Sequence, residues 1–185
     1  MNKIKEITIN DLNFLKELAD SALGENYLNL DYFKNVISSP LYYGWTIYSY
    51  QQVPIAFLVA YKTTCLEIQE YLNDFSIGNK LSNDTICIDT MVVKPHFRKK
   101  GIGKMLVGNA LSKFSKSSFI MYAWKNNEII NMSEIANLYR FTKLKEYANL
   151  WTKDCLDNQF FCPSKKNNTC VCSTVVYYLL NTREA

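Results

Sequence analysis

Two kinds of hydrophobic pattern alternate along the chain. Runs rich in β-branched and aromatic residues, or alternating apolar with polar residues, predict β-strands. These runs are Ile4–Ile9, Tyr43–Tyr50, Ile55–Tyr61, Ile86–Val93, Phe119–Trp124, Leu150–Cys155 and Val171–Leu180. The second and third runs are predicted to pair as a hairpin around Pro54. Between the third and fourth runs the signal is poor: Cys65–Ile68 is expected to extend a strand, and Asn73–Asn83 to form a loop.

Apolar residues at helical spacing predict four helices. They run from Leu12 to Ala22, from Asn29 or Asp31 through Phe33 to Ile37, from Leu106 to Phe114, and from Ile135 through Leu138 to Phe141, Thr142 or Leu144. Gly24 ends the first helix, and Pro40 follows the second. The last helix is predicted to begin at a capping box, with Asn131 in the usual Ser/Thr position and Glu134 as the acidic partner three residues later.

The segment of the chain with the most chemical information is the turn over residues 98–104, which reads RKKGIGK. It lies between a predicted strand and a predicted helix, so it presents unpaired backbone N–H groups at the positive end of the helix. Gly101 and Gly103 let an anion approach the main chain without an intervening Cβ. Four cationic side chains surround the glycines. We therefore predict a pyrophosphate-binding turn.

Two common phosphate motifs do not fit. The Walker pattern fails because Gly108 is followed by Asn109-Ala110 instead of Lys-Ser/Thr, and the dinucleotide fingerprint fails because Leu106 occupies the place of its third glycine. The pattern that remains is V-x-P-x-x-R-x-x-G-x-G, which begins at Val93. A basic helix cap without a ligand and a short nucleic-acid-binding or targeting patch are the alternatives for this turn.

This pattern resembles the acetyl-coenzyme A-binding motif of the GNAT superfamily of N-acetyltransferases, and the order of predicted elements is similar to the GNAT fold from end to end. The resemblance implies an α/β (α+β) fold in which a mixed, mostly antiparallel sheet carries helices on both faces, over a single domain from residue 1 to 185. It also implies an acyltransferase that moves acetyl from acetyl-coenzyme A, its co-substrate, to an amine by direct attack. The alternative is a catalytically inactive, regulatory acyl-coenzyme A-binding module of the same fold.

The resemblance also implies which residues bind the co-substrate. Strand backbone pairs with the pantetheine arm, backbone N–H groups of the turn hold the pyrophosphate, and a lysine is placed to meet the 3′-phosphate. These predicted binding residues are Met91, Val92, Val93, Arg98, Lys99, Lys100, Gly101, Ile102, Gly103, Lys104 and Asn131.

Two residues are predicted to carry the proton transfers. Tyr139 lies in an A-x-x-Y stretch similar to that of the family's last helix, where a tyrosine commonly faces the thioester sulphur, so it is the predicted acid. Lys143 and Leu144 stand where the family usually has Gly-Phe. Asp89, the one carboxylate in the central strand, is the predicted base. Glu67, Glu70 and a chain of waters remain open as alternatives for the base.

The acceptor is an unidentified amine, either on a small molecule or on a peptide or protein. The resemblance implies that the first two helices and the final hairpin wall its site. The aromatic residues expected there are Tyr27, Tyr32, Phe33, Tyr42, Tyr43, Trp45, Tyr177 and Tyr178. An aromatic wall suits an apolar or cationic amine.

Composition narrows the class of partner. The net charge of +4 over 185 residues is mild and concentrated at one turn, so we expect a small anionic ligand and no nucleic acid. No long apolar run or signal peptide is evident, so we expect a cytoplasmic monomer or homodimer without membrane contact.

The six cysteines divide into two groups. Cys65 and Cys87 lie in strand-like contexts and are expected to be buried and inert. Cys155, Cys162, Cys170 and Cys172 cluster near the end of the chain. The cluster contains a single C-x-C and no C-x-x-C pair, so plain thiols are expected and no metal site is predicted, with zinc the alternative.

Overall fold

One sheet forms the centre of the molecule. The computed structural model describes residues 3–126, 128–152 and 172–181. Within them the strands are β1 (Ile4–Glu6), β2 (Tyr42–Tyr48), β3 (Pro54–Thr63), β4 (Thr85–Val93), β5 (Ser118–Asn126), β6 (Ile129–Ile130), β7 (Thr142–Ala148) and β8 (Ser173–Leu179). Their order is β1-β2-β3-β4-β5-β8-β7, with β6 paired to β5. Only β4 and β5 pair in parallel among these strands. The predicted mixed, mostly antiparallel sheet is confirmed.

Helices cover both faces of this sheet, as predicted. They are α1 (Leu12–Leu23), α2 (Leu30–Ser38), α3 (Cys65–Leu72), α4 (Ile102–Lys113) and α5 (Ser133–Leu138). Alternate residues of β3 separate the faces: Phe57 and Val59 pack with α1 and α2, whereas Leu58 and Ala60 pack with α4 and α5. In the described part of the chain, no helix has the length and apolar character needed to span a membrane.

The strand predicted over Cys65–Ile68 was wrong, because these residues belong to α3. Thr64 and Glu67 form a capping box, in which the Thr64 hydroxyl accepts from the Glu67 N–H at 3.3 Å and the Glu67 carboxylate accepts from the Thr64 N–H at 2.8 Å. The helix buries Ile68 and Leu72 against the sheet. Cys65 is therefore half-exposed at a helix start, while Cys87 is buried as predicted.

The end of the chain also differs from its prediction. Helix α5 ends at Leu138, Arg140 takes a positive φ of 59°, and the chain then forms β7, where the helix was expected to continue. Met132, and not Asn131, is the N-cap of α5. The strand expected from Leu150 is absent over residues 150–152, and Cys155, Cys162 and Cys170 lie outside the described residues.

A β-bulge in β4 opens the sheet. Val59 pairs with Thr90 and the next residue of β3 pairs with Ile88, so Asp89 is left without a partner on β3. Beyond the bulge the side chains change faces: Met91 packs in the same cluster as Ile88, on the α4 side. Strict alternation along β4 would instead place Asp89 and Met91 on the same face. Pairing between β4 and β5 stops at Ile88, so the two strands separate from Asp89 onwards.

Gly44 lets α2 lie close to the sheet, and its substitution tests this packing. A Cβ at position 44 would lie 2.6 Å from the Ile7 Cδ1 and 2.8 Å from the Val36 Cγ1. We expect Gly44→Ala to lower the free energy of unfolding by about 1–3 kcal/mol, because the added methyl overpacks a closed contact. Urea denaturation measures this change. A wild-type value would contradict the close approach of α2.

Candidate active site

The turn between β4 and α4 has the backbone shape that its glycines predict. Gly101 is the N-cap of α4, with φ of 80° and ψ of 0° in the left-handed region. Lys99 also has a positive φ, 58°, which is uncommon for a residue with a side chain and marks backbone held in a specific shape. The Met105 N–H bonds to the Gly101 carbonyl. The N–H groups of residues 102–104 precede this bond, so they form the exposed positive end of the helix.

A cleft of about 630 Å³ begins at this turn. Helices α4 and α5 pack on one face of the sheet and α1 on the other, yet residues from all three line the cleft. The cleft therefore passes through the plane of the sheet where β4 and β5 have separated. Its volume is typical of a site for a small molecule or cofactor.

Ten of the eleven predicted co-substrate-binding residues line this one cleft; Lys100 is the exception. The Lys100 ammonium instead lies 5.5 Å from the centre of the Phe97 ring. The Arg98 side chain turns back, and its Nε donates to the Val93 carbonyl at 2.9 Å, so it closes the turn. Gly103 lies close to other side chains of the cleft wall. A Cβ at this position would lie 3.1 Å from the Met91 Cε and 3.3 Å from an α5 side chain.

Some lining residues had not been predicted. They are Ala22, Leu23, Phe97, Trp124, Met132, Glu134 and Ile135. Trp124 lies at the end of a predicted strand, which was a usable signal. The approach of Ala22 and Leu23 depends on the separation of β4 from β5, which no local pattern indicates.

Asp89 lies where β4 and β5 part, at the bulge. Its carboxylate accepts a hydrogen bond from the Tyr32 hydroxyl of α2 and a longer one, 3.4 Å, from the Thr90 hydroxyl. Burial raises the pKa of the Asp89 carboxyl above its ordinary value, and these two hydrogen bonds only partly oppose the rise. A carboxyl with a raised pKa binds a proton more readily, as a general base requires.

Tyrosines surround Asp89. The phenols of Tyr32, Tyr42, Tyr61 and Tyr122 all interact electrostatically with its carboxylate. Burial is the main cause that raises the pKa of each phenol, and the Asp89 charge adds to it. The other aromatic residues expected at the acceptor site do not join this group: Phe33, Trp45, Tyr177 and Tyr178 are buried in the core, and Tyr43 packs with the α4 side.

Tyr139 packs against α4. Its hydroxyl donates to the Lys104 carbonyl at 2.9 Å. Gly108 of α4 makes room for it, since a Cβ there would lie 2.6 Å from the phenol oxygen. Tyr139 is half-buried against α4 and does not line the cleft described above.

The alternative bases have separate places. The Glu67 carboxylate caps α3, and the backbone hydrogen bond from Thr64 is the main cause that lowers the pKa of Glu67. Glu70 lies on the exposed side of the same helix. A lowered pKa weakens Glu67 as a base.

Comparison with known proteins gives a consistent result. Residues 12–133 match the family model described as the acetyltransferase (GNAT) family. No curated protein matches the chain.

Among solved structures, NAA60 of Arabidopsis thaliana in complex with acetyl-CoA has a TM-score of 0.72 at 14% identity, over 96% of this chain and 97% of that one. Naa20 of Chaetomium thermophilum in complex with a bisubstrate analogue has a TM-score of 0.70 at 12% identity, over 98% and 88%. Mutant forms of the spermidine/spermine N-acetyltransferase SpeG from Vibrio cholerae have a TM-score of 0.63 at 13% identity, over 98% and 95%. At these identities the likeness shows a shared fold.

The raised phenol pKa values predict a loss of stability in alkali. In the unfolded chain tyrosines ionise near pH 10, whereas burial keeps the pKa of Tyr61 and Tyr122 higher in the folded protein. Their stabilising effect is therefore present below about pH 10 and is lost as the pH rises towards the folded-state pKa. We expect the free energy of unfolding, measured by urea denaturation across this range, to fall less steeply in Tyr61→Phe and Tyr122→Phe.

Tyr50→Phe is the matched control, because Tyr50 is 89% exposed. It should keep the wild-type pH dependence. If Tyr61→Phe and Tyr122→Phe also keep it, the phenols are not held protonated by the fold.

Proposed function

The chain belongs to the GNAT acetyltransferase family, and from this premise we propose that it acetylates an amine by direct attack of the amine nitrogen on the thioester of acetyl-coenzyme A. As a member of this family the chain is an acyltransferase, and acetyl-coenzyme A is its co-substrate. The observation that carries the proposal is the cleft that runs from the turn before α4 along Met91, Val92 and Val93, the end of β4 that β5 does not pair. Asp89 precedes Met91 by two residues on the same strand, just after the pairing with β5 has ended.

Two regions of the cleft are proposed to bind acetyl-coenzyme A: the turn before α4 binds its phosphates, and the end of β4 binds its pantetheine arm. Backbone N–H groups at residues 102–104 hold the pyrophosphate, and Lys99 or Lys100 meets the 3′-phosphate. Main chain of Met91, Val92 and Val93, which β5 does not pair, bonds with the amides of the pantetheine arm. Asn131 lines the same cleft and contacts the co-substrate.

Asp89 is the proposed base. Its carboxylate takes a proton from the acceptor ammonium, and the neutral nitrogen then bonds to the acetyl carbon as the carbon–sulphur bond breaks. The departing thiolate takes a proton from Tyr139, and the second proton lost from the acetylated nitrogen restores the Tyr139 phenol through solvent. Burial supports this role because it raises the pKa of Asp89. The Tyr32 hydroxyl fixes the carboxylate in place. Activity should therefore fall as the pH drops through the raised pKa of Asp89 and the carboxylate is lost.

Tyr139 is the proposed acid for the departing thiolate. A neutral phenol is a suitable donor. Tyr139 does not line the cleft, and its hydroxyl is bonded to the Lys104 carbonyl, so this role requires it both to release that bond and to move to the sulphur. This bond is also the observation that favours the second candidate, a module that binds acyl-coenzyme A without transfer.

The acceptor is a small-molecule or peptide amine. The names of similar structures support both sources: SpeG is named for the polyamines spermidine and spermine, and another similar structure is named the ribosomal-protein-S18-alanine N-acetyltransferase of Escherichia coli. We further propose a cytoplasmic monomer or homodimer. The mild net charge supports the absence of a nucleic-acid partner.

Acetyl transfer to phenethylamine, spermidine and a peptide with a free N-terminus tests the function. We expect Asp89→Asn to lower kcat/KM by about 10²–10⁴-fold while the Kd for acetyl-coenzyme A stays unchanged, because only proton transfer is lost. Tyr139→Phe should lower kcat at an unchanged Kd. Tyr50→Phe is the control and should match the wild type. If the wild type binds acetyl-coenzyme A but acetylates none of the amines, the binding module replaces the enzyme.

A further inference from the structure

The sheet face beneath α2 and α3 carries a row of polar aromatic side chains. Tyr42 pairs with Tyr61 across β2 and β3, and Tyr61 pairs with Cys87 of β4. The rings of Tyr42 and Tyr61 are 5.3 Å apart. Asp89 follows Cys87 by two residues along β4, on this same face. The row therefore leads to the candidate base.

Helix α3 closes the row on its other side. Tyr71 of α3 lies over Tyr122 of β5, with 5.1 Å between ring centres. The Tyr71 hydroxyl accepts from the Trp151 Nε1 at 3.1 Å. The sequence pattern had predicted no helix between β3 and β4, so this wall is an addition to the expected order of elements.

The segment after α3 is anchored to β7. The Asp74 carboxylate accepts from Lys145 at 2.5 Å and from Tyr147 at 2.8 Å. Hydrogen bonds from Lys145 lead the causes that lower the pKa of Asp74, so the carboxylate stays charged at neutral pH. These bonds attach the segment after α3 to the β7 edge of the sheet, and they help to fix the position of Tyr71.

The resulting group has one charge. The phenols stay protonated at neutral pH, so Asp89 supplies the negative charge within the tyrosine group. Across the described ranges no lysine or arginine forms an ion pair with Asp89. The side chains of Tyr32, Tyr42, Tyr61, Tyr122 and Asp89 are each partly exposed. An uncompensated carboxylate among aromatic faces suits a cation, since both the charge and the ring faces attract it.

Resting on the proposed function, we propose that Asp89 with Tyr42, Tyr61, Tyr71 and Tyr122 forms the acceptor subsite, and that it selects a primary ammonium with a single charge on an aromatic or apolar body. Tyr71 and Tyr122 determine this specificity, because α3 places the Tyr71 ring 5.1 Å from that of Tyr122, and Tyr122 interacts directly with the Asp89 carboxylate. A polyamine is the poorer fit: its second ammonium group meets no second carboxylate in this group of residues.

Calorimetric titration of phenethylamine into the protein saturated with coenzyme A tests the subsite without requiring catalysis. We expect the wild type to bind phenethylamine in preference to phenethyl alcohol and to spermidine. Tyr71→Ala should weaken phenethylamine binding by about tenfold, and Tyr71→Phe, which keeps the ring, should restore it. The Kd for coenzyme A should not change in either variant. Tyr50→Ala is the control and should bind as the wild type.

The outcomes separate the subsite from the function. If phenethylamine binding depends on Tyr71 but no acetyl transfer occurs, the subsite proposal is supported and the proposed enzymatic function is rejected. If acetyl transfer occurs with the same KM for phenethylamine in Tyr71→Ala and in the wild type, the subsite proposal is rejected and the enzymatic function stands. Tighter binding of spermidine than of phenethylamine would also reject the subsite proposal alone. A dipeptide amide beginning with Phe, which carries the same ring and ammonium as phenethylamine, is titrated in the same way and distinguishes a peptide source of the ammonium from a small-molecule source.

Discussion

The parting of β4 from β5 after Ile88 is the feature on which the rest of the site depends. The two strands pair in parallel over only four residues each, and the bulge at Asp89 bends β4 away from its neighbour. Unpaired strand backbone is costly when buried and useful when a ligand pairs with it. The opening thus provides both the backbone edge for an extended ligand and a passage between the faces of the sheet.

The two faces have different chemistry at this passage. The α4 side offers backbone N–H groups and cations at the turn that begins with Arg98, which suits phosphate. The α2 and α3 side offers the Asp89 carboxylate among neutral phenols, which suits an ammonium group. An anionic donor and a cationic acceptor would therefore enter from opposite faces, and the reacting atoms would meet in the gap between the strands.

Local sequence signals predicted the turn because it needs only neighbours in the chain: the glycines, the basic residues, a strand before and a helix after. The bulge could not be predicted in this way, since it is a mismatch of register between β3 and β4. Helix α3 was missed although Thr64 and Glu67 carry a capping box, because the short apolar run after them fits a strand equally well. The contact between Tyr139 and Gly108 depends on packing between two helices, and no spacing within either helix reveals it.

The central claim is that acetyl-coenzyme A occupies the cleft beside Gly103, and calorimetric titration of acetyl-coenzyme A tests it most directly. Gly103→Asp places a side chain and a negative charge against Met91 and the helix N-terminus. Ser112→Asp adds the same charge at the exposed far end of α4 and is the matched control. The account predicts micromolar binding to the wild type and to the control, with binding lost in Gly103→Asp. No binding to folded wild-type protein, or equal binding to all three, would contradict it.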